Sequence, residues 1–135
     1  MFLNNNNTNI LDILCNIQYT EIKGDEMTKK ELLESTTLEL RRGVIVLAVL
    51  SQLNEQQYGY LLIKHLADCG LQVDQGTLYP LLRRLETQGL LSSDWRLEEE
   101  HPRRYYVLSQ EGRAMLPRLK DEWNNLAAMM DRMLK

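Results

Sequence analysis

From Met27 onward the apolar and polar positions alternate regularly enough to be read as elements. Thr28-Lys-Lys-Glu31 is a capping box, in which the hydroxyl accepts from the N3 amide and the Glu carboxylate accepts from the cap amide; Leu32 and Leu33 follow as the start of an apolar face. A second box, Thr36-Thr-Leu-Glu39, predicts a separate helix running to about Leu53, with Leu40, Leu47 and Leu50 at helical spacing. Val44-Ile45-Val46 makes it apolar on most sides, which places it at the centre of a fold. Asn54 and Glu55-Gln56-Gln57 read as a turn, and a short helix from about Tyr58 to Cys69 follows. Gly70 is the expected left-handed residue at its end, with Leu71 packing back. Asp74 is a good N-cap for a helix with Leu78, Leu81, Leu82 and Leu85 on one stripe and Gly89 at its end. Because Pro80 lies inside, the regular helix is expected to begin as late as Thr77, where a missing amide costs nothing.

The period then changes from helical to two. Leu91, Ser93, Trp95 and Leu97 alternate with Ser92, Asp94 and Arg96, a strand signal. Glu98 to Pro102 reads as the turn, and Arg103 to Ser109 as the returning strand, with Arg104, Tyr106 and Leu108 on one side and Tyr105 and Val107 on the other. Ser109 caps a last helix that runs to the end of the chain. The resulting order is helices, a hairpin and a long helix, with no internal repeat. It predicts a mainly α chain with a small β-hairpin: a winged helix-turn-helix plus a C-terminal dimerisation helix. The 36–53 helix is the scaffold, 58–69 and 75–88 are the turn pair, and the second of these is the helix that would enter a DNA major groove.

Dimerisation is expected from the seam of that last helix. Leu116, Leu119, Trp123, Leu126, Met130 and Met133 fall in alternating steps of three and four, the a and d positions of a coiled coil. A lone amphipathic helix at a chain end must bury such a seam, and a second copy is the natural partner. Pro117 is expected to kink or restart the helix near its first turns. Trp123 reads as a plain dimer anchor, and Met129, Met130 and Met133 at helical spacing as core.

Composition changes the picture in two places. The net charge of −3 and pI near 5.4 argue, taken whole, against a nucleic-acid partner. But residues 1–26 hold one base and four acids, whereas 27–135 hold fifteen of each and are neutral, so local clustering decides. Those first residues differ from the rest in other ways. The run Asn4–Asn7 is low-complexity polar sequence, and Ile10 to Ile17 has apolar character without a cap or charge pattern. We read 1–26 as a disordered tail or a translated leader. The second alternative rests on Lys23-Gly24-Asp25-Glu26 before Met27, which back-translate to a purine-rich ribosome-binding sequence ahead of an ATG. Residues 27–109 then form the winged-helix domain and 110–135 the dimerisation helix. The longest apolar run, Val44 to Leu50, is far short of the roughly 20 residues of a membrane span. No secretory signal is evident, and two cysteines do not make a disulfide scaffold; both fit a cytoplasmic protein.

Once the leucine stripe is removed, the 75–88 helix leaves Gln75, Gly76, Thr77, Tyr79, Arg83, Arg84 and Thr87 to solvent. Small hydrogen-bonding groups at a helix N-terminus suit base edges and phosphates, and Arg83 and Arg84 suit the DNA backbone. The hairpin adds Arg103 and Arg104 beside Tyr105 and Tyr106. The same residues also fit a solvated helix and a hairpin whose arginines neutralise Glu98, Glu99 and Glu100.

The run Gln75-Gly-Thr-Leu-Tyr-Pro-Leu-Leu-Arg-Arg-Leu-Glu86, then Gly89-Leu-Leu, Trp95 and Arg103-Arg-Tyr-Tyr-Val-Leu-Ser109, resembles the PadR family of bacterial transcriptional regulators. Tyr58-Gly-Tyr60 and the scaffold start near Leu38 match as well, so the resemblance runs from about Leu32 to Lys135. It implies a dimeric winged-helix repressor acting on inverted repeats in double-stranded DNA, in many members released by small aromatic or cationic compounds. It puts Gln75, Thr77, Tyr79 and Pro80 in the recognition segment, Arg83 on the same helix, Arg103 and Arg104 in the wing, and Tyr58 at a phosphate-facing helix start. It implies dimerisation through the last helix, with Trp123 where some members line a cavity between subunits; we add Met130 as a ligand neighbour. The wing turn, Glu98-Glu-Glu-His-Pro102, departs from the glycine-rich or basic turns of many relatives. Its carboxylates would repel phosphates, so the tip is expected to point away from DNA or to be held by arginines.

Other chemistry is poorly represented. His65 and Cys69 stand four apart on one helix but lack further ligands at a fixed spacing, so neither a metal nor another cofactor is expected. There is no glycine-rich phosphate loop and no recognisable nucleophile–base set, so an enzyme is not expected. The rival to a DNA-binding repressor is a dimeric winged-helix module that binds a protein, which the acidic wing and neutral core would suit.

Overall fold

A computed structural model describes residues 27–135; the expectations placed on residues 1–26 lie outside the described residues. Two compact units divide the chain, one ending at Leu40 and the other spanning Arg41–Lys135. Helix α1 (Lys29–Gln52) opens with the Thr28 box as expected: the Glu31 amide donates to Thr28 Oγ1 at 3.1 Å and the Thr28 amide donates to Glu31 Oε2 at 3.2 Å. The second box does not form. Nothing between Leu32 and Thr36 breaks a helix, and Thr36 Oγ1 donates back to the Leu32 carbonyl at 2.8 Å, the bond a mid-helix threonine makes. One helix therefore replaces the two expected. Leu32, Leu33, Leu38 and Leu40 are exposed.

The second unit holds the core. Ile45, Val49, Leu50 and Leu53 pack with Leu62 and Leu66 of α2 (Gly59–Asp68), Val73, and Leu78, Leu81, Leu82 and Leu85 of α3 (Gln75–Thr87). Each such side chain contributes about 1.5–3 kcal/mol by leaving water. Among the described residues no polar side chain is buried. Helix α2 ends as expected: the Leu71 amide reaches the Leu66 carbonyl at 2.8 Å and the Gly70 amide reaches Ala67 at 2.9 Å, with Gly70 at φ 94°. Asp74 caps α3 by accepting from the Thr77 amide at 2.8 Å, and α3 is regular from Gln75, not Thr77. Pro80 is accommodated because the carbonyl it leaves without an amide belongs to Gly76, an exposed residue that water can reach.

The wing consists of β2 (Leu91–Glu98) and β3 (His101–Leu108), antiparallel from Leu91↔Leu108 to Glu98↔His101. Pairing runs two rungs further than expected and leaves only Glu99 and Glu100 in the turn, at φ 47° and 66°. That is the geometry usually given to Asn-Gly, and two carboxylate residues adopt it here. A strand missed in the sequence, β1 (Gln57–Tyr58), pairs Gln57 with Tyr106 and Tyr58 with Tyr105, so the hairpin is part of a three-stranded sheet in the order β1-β3-β2. β1 is too short to show a period, which is why it reads as a turn. Pro102 is tolerated on the stretch of β3 that β1 does not reach. Ser109 caps α4 (Gln110–Met133), accepting from the Gly112 amide at 3.0 Å and donating to the Gly89 carbonyl at 2.5 Å. Gly112 is buried so tightly that a Cβ would collide with the Leu90 carbonyl oxygen. α4 is continuous through Pro117, with no restart.

Candidate nucleic-acid interface

Two short helices and a sheet edge converge on one groove. Tyr58 ends β1 and is the extended N-cap of α2, so Gly59 begins the helix directly beneath α3. Gly59 is required there, because a Cβ would overlap the ring of Tyr79. Tyr79 is thereby half-buried against the core, not exposed as expected. Gln75, Gly76, Thr77, Pro80, Arg83, Arg84 and Thr87 do face solvent. Between α3, the start of α2 and the wing lies an open groove of about 450 Å³, lined by Tyr58, Tyr60, Tyr79, Arg83, Trp95, Arg103 and Arg104 among others. The structure thus gathers Tyr58, Tyr79, Arg83, Arg103 and Arg104 around one concavity.

Thr77, Pro80 and Arg84 lie on the other flank of α3, in a second groove of about 420 Å³ floored by Ile45, Val46 and Leu81 and edged by Arg42. Arg42 was missed in the sequence. Its signal was the Arg41-Arg42 pair breaking an otherwise apolar helix; Arg41 turns away to donate to the Gln72 carbonyl at 3.1 Å.

The cations of the two elements are in different states. Among the described residues Arg83 and Arg84 make no ion pair. Each wing arginine does. Arg103 meets Glu98 at 3.2 Å and lies 4.5 Å over the Tyr58 ring. Arg96 meets Asp94 at 3.6 Å, lies 4.5 Å over Tyr105 and donates to Gln56 Oε1. Arg104 meets Glu86 at 2.9 Å and lies between Trp95 and Tyr106, at 5.6 and 5.4 Å from their centroids. Tyr58 sits edge-on to Tyr105 at 5.5 Å. Glu98 also accepts from the Tyr105 hydroxyl at 2.5 Å, and that hydrogen bond holds the phenol above its ordinary pKa. Burial raises the Tyr106 phenol in the same direction. Glu98, the last residue of β2, is thus held by Arg103, whereas Glu99 and Glu100 are exposed at the tip.

On α4 the seam is only partly covered. Leu116 and Leu119 pack on the core, whereas Trp123, Leu126, Met130 and Met133 are 44%, 49%, 40% and 67% exposed. His65 Nδ1 lies 2.7 Å from Gln57 Oε1, and Cys69 is an exposed thiol. Among the described residues no three of His, Cys, Asp or Glu gather as metal ligands, and no helix is long and apolar enough to cross a membrane.

Comparison with known proteins bears on the same residues. The model of the transcriptional regulator PadR-like family matches residues 46–118, which span the core, α2, α3 and the wing. The chain is 38% identical over 79 residues to the transcriptional regulator Rv3488 of Mycobacterium tuberculosis, covering 58% of this chain and 74% of that one. It is similar to the crystal structure of a PadR family transcriptional regulator from Eggerthella lenta, with TM-score 0.73 and 45% identity over 78% of this chain and 95% of that one.

Proposed function

Since the chain belongs to the PadR-like family of transcriptional regulators, and is a regulator rather than an enzyme, we propose that it is a cytoplasmic homodimeric repressor that binds an inverted repeat in double-stranded DNA. The observation that carries this is the face of α3: Gln75, Thr77, Arg83 and Arg84 are exposed around the grooves, and among the described residues neither arginine makes an ion pair. In this reading Gln75 and Thr77 meet base edges from the positive end of the helix, while Arg83 and Arg84 meet phosphates. Arg103 and Tyr58 form the wing-side wall, and Tyr79 and Pro80 shape the helix face.

The dimer reading rests on the α4 seam, where Trp123, Leu126, Met130 and Met133 form an apolar row that a second copy would cover. Two copies of Trp123 facing across the two-fold axis would make a flat slot for a planar aromatic or cationic compound, with Met130 beside it and Asp121 and Glu122 at the mouth. A guest there would change the angle of the two helices and with it the spacing of the two α3 helices, relieving repression. Without such a guest, control is by the amount of protein, acting on its own gene.

One observation favours the rival reading, a dimeric module for a protein partner: every wing arginine is already ion-paired and the tip is acidic. Selection of duplexes from a random pool by the full chain, followed by anisotropy titration, decides between them. We expect an inverted repeat with half-sites about one helical turn apart or a small multiple of that. Failure to enrich any duplex, with no binding at low salt, refutes the DNA reading.

A further inference from the structure

The wing is attached to α3 at one polar joint beyond the core. Leu91, Tyr106 and Leu108 bury the base of the hairpin. Past the Ser93↔Tyr106 rung the strands leave the core: Trp95 and Leu97 are exposed although they continue the same face. Where they leave it, three side chains close a ring. Arg104 Nη2 donates to Glu86 Oε2 at 2.9 Å, Arg104 Nε donates to Ser93 Oγ at 2.9 Å, and Ser93 Oγ donates to Glu86 Oε1 at 2.6 Å. Both carboxylate oxygens are used, and the hydroxyl both donates and accepts. Glu86 stands in the last turn of α3, Ser93 on β2 and Arg104 on β3, so the ring joins the recognition helix to both wing strands. The Arg104 and Glu86 side chains are only 33% and 28% exposed, and the guanidinium is flanked by Trp95 and Tyr106. Water therefore screens this pair less than an ordinary surface ion pair.

We infer that Glu86 is a positioning residue for DNA recognition: it holds Arg104 and Ser93 in a closed ring that fixes the wing against α3. This rests on the DNA-binding reading and changes the role of one residue within it. Arg104 faces the groove, but its charge is cancelled by Glu86, so a phosphate beside it displaces little counterion. Among the described residues Arg103 has a single ion pair, to Glu98 within the same hairpin at 3.2 Å, and no bond to α3, so it is the wing residue able to exchange a carboxylate for a phosphate. The joint lends the protein discrimination by holding the two DNA-facing elements at one angle; it does not lend it attraction.

Three variants of the full chain test this: Glu86→Gln, which keeps shape and loses charge, Arg104→Gln and Arg103→Gln. The probes are a duplex enriched by the wild type from a random pool and a scrambled duplex of the same length. Arg103→Gln should reduce the salt slope of binding by about one, as a lost phosphate contact does. Arg104→Gln should leave the slope unchanged while the preference for the enriched duplex falls roughly tenfold, the size of one lost base-pair preference. Glu86→Gln should release Arg104 to the phosphates, so the slope steepens by about one, binding to the scrambled duplex tightens and discrimination falls. In the free protein, hydrogen exchange at Trp95–Glu98 and at His101, Arg103 and Arg104 should quicken in Glu86→Gln, with the amides of Leu82 and Leu85 unchanged. A merely stabilising ion pair would lower the melting temperature without moving the slope. A slope reduced by one in Arg104→Gln, or unchanged exchange and discrimination in Glu86→Gln, overturns the proposal and leaves the DNA-binding reading intact. Faster exchange in a chain that binds neither duplex upholds the joint and refutes the DNA-binding reading.

Discussion

Helices α3 and α4 are written in nearly the same way and end up in different situations. Each opens with a side-chain cap, Asp74 or Ser109, each runs unbroken through a proline, and each carries an apolar stripe. On α3 the stripe is covered: Leu78, Leu82 and Leu85 are at most 1% exposed. On α4 only Leu116 and Leu119 find the core, and from Trp123 onward the row faces solvent. An apolar stripe states that a helix needs a partner surface. Whether its own chain supplies that surface depends on topology. α3 follows α2 through a short turn and is folded back onto it, whereas α4 meets the core of its own unit only through Gly112, Leu116 and Leu119.

The largest expected effect breaks the comparison at its covered end. Leu82→Ala removes fully buried atoms and should cost about 2–5 kcal/mol in urea or thermal unfolding. Leu126→Ala, at a position 49% exposed, should cost less than about 1 kcal/mol at protein concentrations low enough to keep the chain monomeric. An equal cost at every concentration would mean that α4 is buried within its own chain.

Trp123→Ala sharpens the other end. A tryptophan at the middle of a helix seam is the type of residue that dominates an interface, and its loss should cost about 2 kcal/mol or more of association, on the order of thirtyfold in the dimer constant. Sedimentation of wild type and variant at micromolar concentration measures this, and unfolding of the dilute variant should match that of the dilute wild type. Monomeric wild type at that concentration would remove the seam argument altogether.

These two helices also show what was legible in advance. The caps at Thr28, Asp74 and Ser109, the ends at Gly70 and Gly89, and the alternation within each wing strand could all be read because each rests on local chemistry or on a period. What could not be read depended on contacts remote in sequence. β1 is visible only through its pairing with Tyr105 and Tyr106, and Tyr79 counts as exposed until Gly59 is found beneath it. The Thr36 box failed for a different reason: a capping pattern shows only where a helix can start, and this one lies where a helix is already running. At the candidate site the residue types and a wing neutralised by its own arginines were visible as one reading, but not which acid each arginine meets, nor that Arg104 crosses to α3. Those pairings need Glu86, Asp94 and Glu98 in place.

The free cations of α3 give the next effect in size. Arg83→Ala and Arg84→Ala should each weaken binding to the enriched duplex by about 1 kcal/mol and reduce the salt slope by about one. Thr77→Ala should instead reduce discrimination between duplexes more than overall affinity, since a base-edge contact carries sequence preference. Arginine variants that bind DNA like the wild type at all salt concentrations would shift the recognition surface away from α3.

The smallest effect concerns the phenol on which the wing base rests. Tyr106 is buried beneath Arg104, and burial raises its pKa above the ordinary value near 10; the Arg104 charge opposes that shift and Glu86 adds to it. A folded-state pKa raised above the unfolded one means that the neutral phenol is the form the fold prefers. The stability this contributes is fully present below the unfolded pKa and is lost as pH rises through the folded one. As pH rises past the ordinary phenol value of about 10, the wild type should therefore lose stability faster than Tyr106→Phe, which has no proton to give up there. Lysines titrate in the same window, so the quantity to measure is the difference between the two unfolding curves at each pH, which cancels them. On α4 the corresponding control is Trp123→Phe, where no titrating group is removed and the difference from wild type should stay flat across the range. A difference for Tyr106→Phe that is also flat would show that its hydroxyl reaches water, and that the wing base is more open than its packing against Leu91 and Leu108 requires.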